Sequence, residues 1–192
     1  MDNAQNVIVV SGLPRSGTSM MMRMLAAAGI PILTDHERAA DADNPRGYFE
    51  LEAVKRTAAD ASWLQGARGQ AVKVVSALLE TLPADYRYRV IFMRRSLDEV
   101  LASQATMLAR RGEASSHGDD AMKETLARHV ADVEALLRRR PDMDALFVSY
   151  ARTVSNPTAT ARRVAQFIGG PVDVAAMARV VEPGLYRNRS HS

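Results

Sequence analysis

A strand, a glycine-bearing loop and a helix follow one another at the start of this chain, and this succession constrains the fold most. Residues 6–11, Asn-Val-Ile-Val-Val-Ser, form a β-branched run that is typical of a buried strand and ends at Gly12. A helix is expected from about Thr18 to Ala28. Converging backbone N–H groups and the helix dipole favour an anion at such a junction. The sequence therefore predicts a bound phosphate-like group there, and a glycine turn without a ligand is the structural alternative.

The rest of the chain alternates between short apolar runs and longer amphipathic segments. Further strands are predicted at residues 71–75, 89–93 and 145–148, and helices at residues 51–65, after Ser96, and at 119–140, 157–168 and 172–181. Strands that alternate with helices predict an α/β fold, a three-layer sandwich whose central parallel sheet is covered on both faces. We expect one domain over residues 1–192, because this length suffices for one hydrophobic core.

Composition restricts the class of protein. No apolar run approaches the roughly 20 residues that span a bilayer, and the polar N-terminus does not resemble a signal peptide. The absence of cysteine excludes disulfides and thiolate metal sites. The net charge of +3 is too small and too dispersed to indicate a nucleic-acid-binding protein. We therefore expect a cytoplasmic protein with no membrane span. Its many arginines suit anionic ligands, although a codon bias would explain them equally well.

The loop differs from that of nucleotide triphosphatases in the place of its cation. Gly12 and Gly17 have the Walker A spacing of P-loop proteins, G-x-x-x-x-G-K-[ST], but Thr18 occupies the lysine position and the cation is Arg15. A triphosphatase also needs an Asp on a nearby strand to hold Mg²⁺. The predicted strand ends carry Arg94-Arg95 and Ser149-Tyr150 instead. The sequence thus predicts a P-loop NTPase-like fold whose anion is held by protein cations, with no metal.

Residues 13–19, Leu-Pro-Arg-Ser-Gly-Thr-Ser, resemble the 5′-phosphosulfate loop of sulfotransferases that use 3′-phosphoadenosine 5′-phosphosulfate (PAPS). Tyrosylprotein and many bacterial members carry the same Pro-Arg-Ser-Gly-Thr, whereas cytosolic members usually have Lys in place of Arg15. The family binds the 3′-phosphate with an Arg at a strand end and a Ser eight residues later. Arg95 and Ser103 have that spacing. Taken alone, they would be interpreted as a solvated strand end and an ordinary helix residue.

The resemblance implies a set of donor-binding residues. Tyr150 would lie near the adenine, with a half-buried aromatic as the alternative interpretation. Arg187 would help to clamp the 3′-phosphate, with a disordered basic tail as the alternative. The complete implied set is Arg15, Ser16, Gly17, Thr18, Ser19, Arg95, Ser103, Tyr150 and Arg187.

The resemblance also implies the residues that carry the chemistry. Arg15 would stabilise charge on the leaving phosphate, and Lys73 matches the family lysine that contacts the sulfuryl group. An edge-strand lysine that blocks aggregation is the alternative for Lys73. Cytosolic members place a histidine base two residues after this lysine, where the present chain has Val75.

The general base is therefore sought elsewhere. Tyrosylprotein and heparan-type members use a Glu that follows the first helix. By that resemblance the candidates are Asp35, His36, Glu37 and Glu50, with Glu50 and Glu37 ranked ahead of His36. Glu50 would otherwise complement the dipole of a following helix, and Glu37 would be a plain loop residue.

Together these features imply a sulfotransferase that moves a sulfuryl group from PAPS to a hydroxyl or amine of a small-molecule or peptide acceptor. The nucleotide product would be 3′,5′-adenosine bisphosphate, and no nucleic acid takes part. Two alternatives stay open: a PAPS-binding or product-binding module without turnover, and a small-molecule P-loop kinase with an atypical loop.

Overall fold

The protein is represented by a computed structural model that describes residues 6–35, 37, 47–110, 112 and 119–182. Within these residues, one four-stranded sheet has the order β2-β1-β3-β4, and every neighbouring pair is parallel. The carboxyl ends of all four strands therefore meet at one edge. The strands are β1 (Asn6–Gly12), β2 (Ala71–Lys73), β3 (Arg87–Arg94) and β4 (Met143–Ser149).

Helices connect the strands, as parallel pairing requires. The described α-helices are α1 (Thr18–Ala27), α2 (Leu97–Arg110), α3 (Asp119–Arg139), α4 (Tyr150–Ser155), α5 (Pro157–Ile168) and α6 (Val174–Arg179). Three short 3-10 helices lie on either side of β2, at Glu52–Arg56, Ser62–Gly66 and Ser76–Thr81. Asn156 caps α5, because its Oδ1 accepts a hydrogen bond from Ala159 N at 3.1 Å and Pro157 occupies the first turn.

Alternate residues of the strands face two separate apolar layers. Ile8 and Val10 of β1 pack with α1, α5 and α6, whereas Val7 and Val9 pack with α3 and the 3-10 helices. Strand side chains alternate between the faces of a sheet, so an unbroken apolar strand needs cover on both sides. The three-layer α/β fold with a central parallel sheet is thus confirmed.

The structure corrects the local predictions in three places. Residues 51–65, predicted as one helix, form two 3-10 helices separated by a turn. Asp60 causes the interruption, since its Oδ1 accepts a hydrogen bond from Ser62 N at 2.9 Å and so begins a new turn. Strand β2 ends at Lys73 rather than Val75, and Tyr150 begins α4 instead of ending a strand.

Candidate functional site

The loop predicted to bind an anion connects β1 to α1 at the carboxyl edge of the sheet. Its backbone turns sharply, with positive φ angles of 70° at Arg15 and 99° at Gly17. Helix α1 begins directly after Gly17, and its first turn has no side-chain cap and no acidic residue. The first N–H groups of a helix lack intrahelical acceptors, so this end of α1 favours an anion.

Ser16 supplies an independent sign of a ligand. Its side chain is 1% exposed, and its Oγ has no hydrogen-bond partner in the part of the chain that the structure describes. An unsatisfied buried hydroxyl costs about 1–3 kcal/mol, so such a group normally has a partner in the functional state. Thr18 and Ser19, predicted to bind the same anion, are half-buried at the start of α1.

Arg15, Ser103 and Arg95 come together from three different elements. Arg15 Nε donates a hydrogen bond to Ser103 Oγ on α2 at 3.0 Å, and Arg95 Nη1 donates to the Arg15 backbone carbonyl at 3.0 Å. Arg95 and Ser103 lie 80 and 88 residues from Arg15 in the sequence. The loop motif and the Arg95–Ser103 motif therefore form one cluster beside the loop.

Arg95 is held in place from two further directions. Its Nε donates to Glu99 Oε2 at 2.9 Å in an ion pair in which both side chains are less than one tenth exposed. Its guanidinium carbon lies 4.4 Å from the centre of the Tyr150 ring. Burial raises the pKa of the Tyr150 phenol, and the Arg95 charge opposes that shift. Tyr150 also touches the loop, because a Cβ added to Gly17 would lie 2.4 Å from Tyr150 Cδ2.

Lys73 occupies the end of β2, and its side chain contacts Tyr48 and Glu50. It pairs with Val10 in the register, which places its side chain on the same face of the sheet as α1. Its Nζ donates to the Tyr48 carbonyl at 2.5 Å and contacts Glu50 Oε1 at 3.2 Å. Ser19 Oγ donates to the same Tyr48 carbonyl at 3.5 Å. One chain segment thus contacts both the helix start and the buried lysine.

The structure separates the two predicted base candidates. Glu50 is joined to the site through Lys73. Glu37 is exposed, and its one described hydrogen bond joins its backbone N to Asp35 Oδ1 at 3.1 Å. His36 and Arg187 lie outside the described residues.

Sequence reasoning misses several residues of this region. The pairing of Glu99 with Arg95 could have been found from their i,i+4 spacing on one helix face. Tyr48 acts through its backbone carbonyl, which no sequence pattern reveals. His129 has a partner as well: its Nε2 lies 2.8 Å from the buried Ser76 Oγ, just beyond β2. That contact joins α3 to a 3-10 helix and required the tertiary structure.

Structural comparison relates this fold to sulfotransferase domains. The sulfotransferase domain of the olefin synthase of Synechococcus PCC 7002 is similar over 100% of this chain and 90% of its own, with a TM-score of 0.59 and 14% identity. The sulfotransferase domain from the curacin biosynthetic pathway is similar over 94% of this chain and 79% of its own, with a TM-score of 0.55 and 12% identity. At these identities the likeness concerns the fold alone. No curated protein matches the chain by sequence.

The family was identified by a sequence model. The model of the sulfotransferase family matches residues 32–174, which is most of the chain. The match begins after the loop that contains Arg15 and Ser16, so the loop geometry and the family match are separate observations. The part of the chain that the structure describes includes no helix long and apolar enough to cross a membrane. The chain belongs to the sulfotransferase family.

Proposed function

We propose that this sulfotransferase takes its sulfuryl group from PAPS and transfers it to a hydroxyl or amine of a small-molecule or peptide acceptor. The observation that carries the proposal is the convergence of Arg15, Ser103 and Arg95 at the uncapped start of α1. Two cations at one helix start suit a ligand with two anionic ends better than a single phosphate.

The residues present fit such a donor. The buried, unpartnered Ser16 Oγ lies in the loop, where a phosphosulfate oxygen would give it a hydrogen-bond partner. Gly17 has no side chain, so the loop backbone can lie directly against the Tyr150 ring. In the proposed arrangement Ser16, Gly17, Thr18 and Ser19 hold the phosphosulfate, while Arg95 and Ser103 bind the 3′-phosphate and Tyr150 borders the adenine. When bound, the donor supplies an activated sulfuryl group.

Arg15 and Lys73 have distinct proposed roles. Charge moves to the leaving phosphate during the transfer, so a cation fixed beside it lowers the barrier. Arg15 is held by Ser103 and supplies this charge from the loop. Lys73 is 8% exposed and reaches the same region from β2, where it would neutralise the sulfuryl oxygens. Both groups act by fixed position, so they need no rearrangement during the reaction.

Glu50 is the proposed general base. A carboxylate accepts a proton only in its ionised form, and the neighbouring Lys73 ammonium favours that form. The acceptor oxygen or nitrogen forms a bond to sulfur while its proton passes to Glu50. The bond between sulfur and the bridging phosphate oxygen breaks, and its electron pair stays with the departing 3′,5′-adenosine bisphosphate. Glu37 is the second candidate.

A transfer assay with radiolabelled PAPS and a panel of acceptors tests this function, with Glu37→Gln as the matched control for Glu50→Gln. Loss of a general base typically lowers the rate about 10²- to 10⁴-fold. We expect Glu50→Gln to lower kcat within this range, with Glu37→Gln near wild type and donor affinity unchanged in both. Binding of the nucleotide by all three proteins without any transfer would instead indicate a non-catalytic binding module.

A further inference from the structure

We propose that Asp35 is a positioning residue for sulfuryl transfer, which holds the chain at residues 50–52 so that the Glu50 carboxylate stays beside Lys73. The inference rests on the proposed role of Glu50 as the base. Asp35 acts through Glu50, because its hydrogen bonds join the Glu50 carbonyl and the backbone N of Glu52.

The contacts of Asp35 join both sides of Glu50. Its Oδ2 accepts a hydrogen bond from Glu52 N at 2.5 Å, and its backbone N donates to the Glu50 carbonyl at 3.3 Å. The same carbonyl accepts a bond from Thr34 Oγ1 at 2.7 Å. Bonds to an ionised acceptor are roughly twice as strong as neutral ones, so the Asp35 carboxylate is the firmest of these contacts.

The residues just before Asp35 are hydrogen-bonded to the strand that carries Lys73. Leu33 N donates to the Ala71 carbonyl at 2.9 Å, and Ala71 N donates to the Pro31 carbonyl at 2.8 Å, two residues before Lys73. The segment around Glu50 is thus joined to β2 twice, once through Asp35 and Thr34 and once through Lys73. The first connection fixes the backbone, so the second can hold the carboxylate in one place.

Backbone strain at Phe49 is the reason that the segment needs the hydrogen bonds from Thr34 and Asp35. Phe49 has a φ of 54°, a conformation that costs a residue with a side chain about 1–3 kcal/mol. It lies between the Tyr48 carbonyl, which Lys73 contacts, and the Glu50 carbonyl, which Thr34 and Asp35 contact. Without the Asp35 carboxylate the strained turn can relax, and that movement carries the Glu50 carboxylate away from Lys73.

Asp60 offers a matched control. Its Oδ1 accepts a hydrogen bond from Ser62 N at 2.9 Å at the start of the next 3-10 helix, just as Asp35 does for Glu52. We expect Asp35→Ala to lower kcat about tenfold or more, with the KM for the donor unchanged, and Asp60→Ala to stay within twofold of wild type. Asp35→Asn keeps one acceptor oxygen, so it should lie between Asp35→Ala and wild type.

A double-mutant cycle separates positioning from general destabilisation. In the Glu50→Gln background, Asp35→Ala should change kcat less than twofold, because the group that it positions is already lost. The inference is overturned if the kcat losses of Asp35→Ala and Glu50→Gln multiply in the double mutant. It is also overturned if Asp60→Ala lowers kcat as much as Asp35→Ala does. If Glu50→Gln retains the wild-type rate, the proposed base and this inference fail together. If Glu50→Gln is impaired and Asp35→Ala is not, only this inference fails.

A spectroscopic readout does not require turnover. The ¹⁵Nζ resonance of Lys73 in the full chain reports its contact with Glu50. We expect this resonance to move in Asp35→Ala toward its position in Glu50→Gln, and to stay unchanged in Asp60→Ala. An unchanged Lys73 signal in Asp35→Ala contradicts the proposal even if no acceptor has been found.

Discussion

Single residues determine the backbone conformation and the packing of the loop between β1 and α1. Gly17 adopts a φ of 99° and lies against Tyr150, so its lack of a side chain is both a conformational and a packing requirement. Arg15 also has a positive φ, although it is not a glycine. Its carbonyl accepts a hydrogen bond from Arg95 and its side chain donates to Ser103, which compensates for that strain.

Gly17→Ala should therefore weaken donor binding more than it weakens folding. The added Cβ would lie 2.4 Å from Tyr150 Cδ2, and that ring also packs against the Arg95 guanidinium at 4.4 Å. We expect the affinity for 3′,5′-adenosine bisphosphate, measured by calorimetry, to fall at least about tenfold. Gly29→Ala is the control, because Gly29 has a similar φ of 86° and no atom within 4 Å of an added Cβ. Equal affinities for both variants would contradict this prediction.

Arg15→Lys and Arg15→Ala separate the charge of Arg15 from its geometry. Lysine keeps the positive charge but lacks the planar fork whose Nε contacts Ser103. Removal of one preorganised group that stabilises developing charge typically costs 10²- to 10³-fold in kcat. We expect a loss of about that size for Arg15→Ala and a clearly smaller loss for Arg15→Lys in the same transfer assay. Equal losses would show that charge is not what Arg15 contributes.

At the scale of secondary structure, polar contacts at the ends of elements join them, in addition to the packing of the two apolar layers. The end of α3 is joined to the start of β4 by Arg140, whose Nε and Nη2 contact the Asp142 carboxylate at 2.9 and 2.5 Å. The Asp142 carbonyl also accepts a bond from Tyr88 N at 2.9 Å, which ties this corner to β3. The Asp142 side chain is 8% exposed, so the ion pair is largely shielded from water.

Asp142→Asn should destabilise the fold in a pH-dependent way. The hydrogen bonds from Arg140 lower the pKa of Asp142 below its ordinary value. A lowered folded-state pKa stabilises above the unfolded value of about 3.9, and this contribution is lost as the pH falls through the folded-state pKa. In urea unfolding we expect a loss of about 1–3 kcal/mol at pH 7 that shrinks progressively below about pH 4. The exposed Asp144→Asn is the control, and a loss independent of pH would contradict the assignment.

At the scale of the whole molecule, the candidate site joins elements that are distant in sequence. The loop after β1, the end of β2, the end of β3, α2 and the start of α4 all meet at the carboxyl edge of the sheet. Ligands of open parallel sheets bind at this edge. A ligand that contacts all of these elements would stabilise the fold as a unit.

Thermal unfolding should therefore distinguish the proposed donor from ATP. A ligand at 100 times its Kd stabilises a folded protein by about 2.7 kcal/mol. For a chain of this size that corresponds to a rise in Tm of roughly 5–10 °C. We expect 3′,5′-adenosine bisphosphate to produce such a rise without metal, and Arg95→Ala to abolish the advantage over adenosine 5′-phosphate. Stabilisation by Mg-ATP instead would favour the kinase alternative.

The sequence indicated the strongly periodic parts of the fold and missed the irregular ones. The β-branched runs of β1 and β3 and the apolar stripe of α3 were identified because burial imposes a period on them. Apolar spacing predicts one helix over residues 51–65, because it does not reveal the turn that Asp60 forms with Ser62. Arg15, Arg95 and Ser103 are proposed together from the resemblance to the sulfotransferase motifs. The pairing of Glu99, the Tyr48 carbonyl and the contacts of Asp35 with residues 50–52 needed the tertiary structure.

By itself, the sequence determined that a glycine-bearing loop joins a buried strand to a helix start, because the loop spacing and the start of α1 are local properties of the chain. It also determined that the cation is Arg15 rather than a Walker lysine. Only the tertiary structure decided which carboxylate accompanies Lys73. The sequence pattern does not distinguish Glu50 from Glu37, but in the fold Lys73 at the end of β2 contacts Glu50. Pro31 and Leu33 are hydrogen-bonded to Ala71 of β2, and Asp35 is hydrogen-bonded to Glu52. Such a choice depends on contacts between residues distant in the chain, which no local pattern encodes.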